Sequence, residues 1–382
     1  MATHSVAIGR RPYTVALIIP TGIGASIGGY AGDGLPIARA VSAIADCTIT
    51  HPNVLNGAQM YWPMESVLYV EGYGLDRLAA GDWALRPVHQ NRIALVLDAA
   101  IESDLRVRHL QAADAARATL GLDLTPYVIT DQPLGVALRR SPSGASWGTV
   151  ANLDSLLRAA ETSIRELGAQ AIAVVARFPD EETEADQAYR SGNGVDPIAG
   201  AEALLSHAVV RQFQIPCAHA PALVPWELSA DVDPRAAAEE LGYTFLNCVL
   251  AGLSRAPQFV DAGRSRSMDL VTSDVDAVIV PASACGGAAV LHWAGRGTQI
   301  ITVADNQTAM AAFPETLNFS RAGTVWSAES YWEALGFLAA HRSGINPAHL
   351  RGPIQPLAAY QSGDPNKPRV CQTDTWAVGT QM

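Results

Sequence analysis

The chain has 382 residues, a formal net charge of −11 and only 16% charged residues. An acidic chain with no basic block argues against a nucleic-acid partner, which needs positive charge for phosphates. Five scattered cysteines with no CxxC argue against a disulfide scaffold. No apolar stretch reaches the roughly 18 residues of a membrane span, and the start lacks a secretory pattern. These features predict a cytoplasmic protein with no membrane partner. The length allows two domains or one large α/β domain.

The first strong element is YTVALIIP, residues 13–20, a short continuous apolar run suited to a strand buried on both faces. A glycine-rich stretch follows, then a helix beginning near Pro36 and a second strand in ADCTIT. IALVLD at 93–98, a helix from Glu102 to Leu120 and YVITD form a strand–helix–strand unit. A helix from Asn152 to Leu167 leads through Gly168 into the strand AIAVVARF. Residues 180–196 are polar and glycine-containing and predict an exposed loop, and 200–212 read as a helix. VDAVIVP at 275–281 and TQIITVADN read as strands either side of a short helix in GGAAVLHWAG. SAESYWEALGFLAAHR closes the series as a helix.

This alternation predicts an α/β fold with an open, mostly parallel sheet and helices on both faces. Two similar lobes are a further expectation. The predicted division is an N-terminal lobe at 12–185, a C-terminal lobe at 195–345 and an irregular tail at 346–382. IIPTGIGASIGG and IVPASACGGAAV share one pattern, from apolar strand through proline to Gly-Gly. Two such turns could face one cleft.

Several stretches can carry chemistry. TGIGASIGGYAGDG offers backbone amides of Thr21, Gly22, Gly24, Gly28 and Gly29 to an anionic group, with Asp33 close behind. The spacing is neither GxGxxG nor a P-loop, so a nicotinamide cofactor is the lesser reading. The plain alternative is a tight turn that packs a helix closely. In THPNVLNGAQMYWPMESVLYVEGYG, His51 can act as base, Asn53 and Asn56 can bind a carboxyl or amide, and Glu71 adds a carboxylate. In IPCAHAP, Cys217 and His219 alternate and so face the same way on an extended chain. Cys285 follows a buried strand and precedes a helix start, which lowers a thiol pKa, with Gly286 and Gly287 beside it. Asn306 lies past a strand end, as substrate positioner or helix cap. A divalent metal on His51, His219 and His292 is an alternative without the short spacing of known zinc motifs. No cofactor is expected.

IIPTGIGASIGGYAGDGLPIARA, ITHPNVLNGA, YVEGYGLDR, IPCAHAP and PASACGGAAVLHW together resemble the DUF3326 family, a conserved domain of unknown function. The resemblance runs from about residue 12 to about 320. It implies no reaction. Gly28, Gly29, Asp33, His51, Asn53, Asn56, Glu71, His219, Cys285 and Asn306 fall within its motifs.

The functional expectation is an enzyme acting on a small carboxylate-bearing metabolite by thiol and histidine proton transfer, isomerase-like. Cys285, His51, His219, Asp33 and Glu71 would be its catalytic groups. The alternatives are a hydrolase or lyase, an acyl or phosphoryl transferase, and a non-catalytic small-molecule binder. A small anionic or polar metabolite is the expected partner, and a homodimer the default assembly.

Overall fold

The computed structural model describes residues 11–56, 62–180, 183–225, 227–242, 245–319, 325–354 and 356–357. Its strands in chain order are β1 (Thr14–Leu17), β2 (Cys47–Thr50), β3 (Val67–Tyr69), β4 (Trp83–Arg86), β5 (Ile93–Leu97), β6 (Val128–Ile129) and β7 (Val136–Arg140). They continue with β8 (Ser146–Val150), β9 (Ala171–Arg177), β10 (Cys217–Ala222), β11 (Gln258–Asp261), β12 (Val275–Pro281), β13 (Gln299–Val303) and β14 (Val325–Ala328). The helices begin with α1 (Leu35–Ser42), α2 (Pro52–Leu55), α3 (Gly72–Ala80), α4 (Ser103–Leu120), α5 (Leu153–Arg165) and α6 (Glu184–Arg190). They end with α7 (Ala199–Phe213), α8 (Pro234–Glu240), α9 (Leu246–Ser254), α10 (Ala288–Arg296) and α11 (Tyr331–Ser343).

The fold is α/β, as its alternating pattern predicts. Six parallel strands form one sheet in the order β3-β2-β1-β12-β13-β14. Four more parallel strands form a second sheet, β10-β9-β5-β6. The pairs β7-β8 and β4-β11 are antiparallel. Every residue of β1 is buried, because it is covered on both faces. Val15, Leu17 and Ile19 enter one apolar layer, and Ala16 and Ile18 enter the other. Both layers continue over the second sheet, through Leu95 and Val175 on one side and Val96 and Val174 on the other.

Strand pairing does not follow the division near 185–195. The first sheet joins β1–β3 to β12–β14 from the far end of the chain, while β9 and β10 pair across the expected boundary. The reason is edge satisfaction. A strand covered on both faces still has two edges of N–H and C=O groups to pair, and β2 fills one edge of β1 while β12 fills the other.

The polar stretch at 180–196 is not simply a loop, since it contains α6. Its start is a capping box: the Thr183 hydroxyl accepts from the Asp186 N–H, and the Asp186 carboxylate accepts from the Thr183 N–H at 2.9 Å. Pro221 sits within β10 without cost to the ladder, because β10 is an edge strand. Of the expected tail, Pro347–Leu350 form a single 3-10 turn capped by Asn346. Its part beyond 357 lies outside the described residues. Among the described residues no helix is long and apolar enough to cross a membrane.

Candidate functional site

A cavity of about 350 Å³ opens at the C-terminal ends of β1, β2 and β3 and over β10. In open parallel sheets this is where ligands bind, most often where the strand order reverses. Here the reversal falls between β1 and β12. Pro20 and Thr21 after β1 and Gly287 and Ala288 after β12 both reach the cavity, so the two similar turns do meet there.

Thr21, His51, Asn53, Asn56, Glu71, His219 and Gly287 of the expected set line this cavity. His51 ends the approach to α2 in an extended conformation, as its following proline requires. The backbone N–H of Ile19 donates to its Nε2 at 3.1 Å, so the neutral ring carries its proton on Nδ1. Burial lowers the His51 pKa to about 4, which keeps the ring neutral. Asn53 and Asn56 are partly used by the fold itself. Asn53 Nδ2 donates to Gly28 O at 3.1 Å, and Asn56 Oδ1 accepts from the Tyr69 hydroxyl at 3.0 Å.

His219 projects from β10 beside α7. The Ser206 hydroxyl is hydrogen-bonded to His219 Nδ1 at 3.1 Å and is also within reach of Ala203 O. The ring Nε2 lies 3.8 Å from Glu202 Oε2. Burial, then the charge of His207, lowers the His219 pKa to about 3. Glu202 moves the other way: burial, reinforced by Asp196 and Glu239, raises its pKa well above the carboxylate range. Burial likewise raises Asp196 to about 6 and Glu239 to about 8. Glu239 Oε1 accepts from Ala31 N–H at 2.6 Å and from the Tyr189 hydroxyl at 2.9 Å.

Glu71 caps α3, where its Oε2 accepts from the N–H groups of Tyr73 and Gly74. Its other oxygen is in contact with His207 Nδ1. Burial alone would lower the His207 pKa, but this Glu71 hydrogen bond and charge outweigh it and raise the pKa. Asp76 Oδ1 accepts from Ala289 N–H at 2.9 Å, so a carboxylate of the chain itself occupies the N-terminus of α10. Burial raises the Asp76 pKa, opposed by that hydrogen bond.

Cys285 does not join them. It is fully buried, its thiol faces Pro281 O and Ala282 O at 3.8 and 3.5 Å, and burial pushes its pKa up to about 12. The expected helix effect fails because α10 begins only at Ala288, with its Ala289 N–H turned to Asp76. Gly22, Gly24, Gly28, Gly29 and Gly286 also lie off the cavity wall. Their role is packing: a Cβ on Gly29 would lie 2.2 Å from Ala25 O, and Gly28 adopts φ +84° directly against Ile19. Asn306 is fully buried and clamps this turn, with Oδ1 accepting from Ile27 N–H at 3.0 Å and Nδ2 donating to Ile27 O at 2.9 Å. Asp33 sits outside the cavity, 3.8 Å from Arg235, and burial raises its pKa to about 6.

Glu202, Ser206, His207, Asp76, Asp196 and Glu239 were not singled out from the sequence. A signal did exist for Glu202 and Ser206. They stand four apart on the apolar stripe of α7, among Ala199, Ala201, Leu205, Val209 and Val210. A carboxyl on such a stripe is costly unless it serves a site. Among the described residues no arginine or lysine lines the cavity, and no three His, Cys, Asp or Glu side chains are grouped to hold a metal.

The sequence pattern of the family described as "Protein of unknown function (DUF3326)" matches residues 14–351, nearly the whole chain. The chain belongs to the DUF3326 family. It is also 56% identical over 341 residues to an uncharacterized lipoprotein of Synechococcus sp., a match covering 89% of this chain and 94% of that protein. That finding corrects the expectation of a cytoplasmic protein with no membrane partner, since the relative is named as a lipoprotein. No solved structure matches the chain.

Proposed function

We propose that this DUF3326 protein is a proton-transfer enzyme acting on a small polar carbonyl metabolite, of isomerase or lyase type. The observation that carries this reading is the pair Glu202 and His219. An almost fully buried carboxyl stands in a cavity 3.8 Å from the Nε2 of a buried imidazole. A carboxyl with a raised pKa is suited to exchange a proton with carbon at neutral pH. Once its own proton has left to solvent, the Glu202 carboxylate would take the proton from the carbon beside a carbonyl and return it, with His219 Nε2 beside it as a proton relay. The Nδ1–H of neutral His51 would polarise the carbonyl oxygen. The thiol has no part in this scheme. The relative's name further suggests a lipid-attached setting for the activity.

The test needs no known substrate. The protein is incubated in deuterium oxide with a panel of hydroxy-, amino- and keto-acid carbonyl compounds, and deuterium uptake at carbon is followed by NMR. Uptake that disappears in Glu202→Gln and His219→Gln supports the reading. Uptake unaffected by both substitutions removes it, as does no uptake on any member of the panel.

A further inference from the structure

We propose that the substrate of this cavity carries a positive charge, an ammonium or amidinium group seated among Glu202, Asp196 and Glu239, a deduction that rests on the proton-transfer reading above. Five carboxyl groups line the wall, Glu71, Asp76, Asp196, Glu202 and Glu239, together with His51, His207 and His219. No cationic side chain among the described residues faces them other than His207, which Glu71 already engages. Two of the five carboxyls are occupied within the fold: Glu71 by His207 and two amides, and Asp76 by the start of α10.

The other three form a group apart. Asp196 accepts from the Ile198 N–H at 3.0 Å and from the Ala199 N–H at the start of α7, and Glu239 uses one oxygen for Ala31 and Tyr189. Glu202 is only 8% exposed, and its nearest charged or ionisable partner among the described residues is His219 at 3.8 Å, beyond hydrogen-bonding reach. A buried carboxyl left without a partner costs stability, so a protein retains one where a ligand completes it. The volume of about 350 Å³ is at the small end of metabolite pockets. An anionic ligand would find no side-chain cation among the described lining residues to pair with except His207, which Glu71 already engages.

A cation in this place also prepares the chemistry. Glu202 holds its proton because it is buried and because Asp196 and Glu239 stand near it. An arriving ammonium offsets both effects. The Glu202 proton then leaves to solvent, and the resulting carboxylate can take a proton from the substrate carbon. The electron pair of that C–H bond passes into the adjacent carbonyl group, and return of the proton completes the turnover.

The probes are diaminobutane, butanediol and succinate, which share one chain length and differ in the charge of their ends. Binding to the full chain is measured by titration calorimetry in buffers of different ionisation heat. Diaminobutane is expected to bind alone, to release protons as it does so, and to bind more tightly as pH rises. Glu202→Gln is expected to weaken it by about tenfold or more and to abolish the proton release, with an unchanged circular dichroism spectrum. Glu239→Gln provides the same test should the first variant fold poorly. Preference for succinate, binding of none of the three, or full affinity in both variants overturns the proposal. Diaminobutane binding without deuterium uptake on any carbonyl compound keeps the charge assignment and removes the catalytic reading. Uptake confined to anionic carbonyl compounds does the reverse.

Discussion

Glu202 and His219 stand 3.8 Å apart in one cavity wall, and burial drives both toward their neutral forms. An ordinary Glu–His contact would be an ion pair, with the carboxyl pKa lowered and the imidazole pKa raised. Here each shift has the opposite sign, so the pair holds a transferable proton rather than two fixed charges. Such separation of environments is how acid and base roles are assigned in enzymes.

Replacing Glu202 with Gln should cost activity and gain stability. The amide keeps the volume of the carboxyl and removes an ionisable group whose contact with His219, at 3.8 Å, is too long for a hydrogen bond. The expected result is an equal or higher melting temperature, with deuterium uptake lost. A clear drop in melting temperature would show that the carboxyl is structural.

Stability should peak in mildly acidic solution. Asp196 and Glu239 are raised to about 6 and about 8, so they favour folding below their unfolded values. That contribution is lost as pH rises through the folded values. His51 and His219 are lowered from 6.5 to about 4 and about 3, so theirs is lost as pH falls below the unfolded value. Denaturant unfolding across pH measures both limbs. Glu239→Gln should flatten the alkaline limb, because its amide oxygen can still accept from Ala31 and Tyr189. An unchanged alkaline limb would show that Glu239 does not hold its proton.

Cys285→Ala should leave deuterium uptake intact. The thiol is sealed in the core away from the cavity, so its loss costs about 1 kcal/mol of packing and no chemistry. The native thiol should also resist iodoacetamide until the protein unfolds. Rapid alkylation with loss of uptake would restore the thiol mechanism.

Glu71→Gln should lower the His207 pKa, which the Glu71 hydrogen bond and charge hold up against burial. NMR titration of the ring reads this directly. A weaker cap on α3 should cost about 1 kcal/mol as well. A His207 titration that does not move would place the origin of its shift elsewhere.

Asn306→Ala should destabilise the protein by about 1–3 kcal/mol, the cost of leaving a buried partner unsatisfied. It strips both hydrogen bonds from Ile27 and with them the anchor of the glycine turn. Because Asn306 stands off the cavity, diaminobutane affinity should change little. A large loss of affinity would make Asn306 part of the binding wall.

The local elements were legible in the chain because each is encoded within a short window. The apolar runs TVAL, IALVL and VDAVIVP are strands covered on both faces, and Gly121 and Gly168 close helical stretches with positive φ. His51 could be picked out because Pro52 holds it extended, and His219 because it alternates with Cys217 on an extended segment; both line the cavity. The capping box at Thr183 was equally readable and was hidden only by the polarity around it.

Tertiary structure alone decided which of these residues meet. Pairing of β1 with β12 joins segments some 260 positions apart, as the register Thr14 to Val275 shows. No periodicity records that choice, because edge satisfaction is indifferent to distance along the chain. The same holds for protonation. Cys285 stands near a helix start, yet desolvation raises its pKa, and Glu202 is one helical glutamate among several in the sequence, yet burial beside Asp196 and Glu239 raises its pKa. Desolvation and Coulomb interaction depend on three-dimensional surroundings, and those arise only when distant segments close around one cavity.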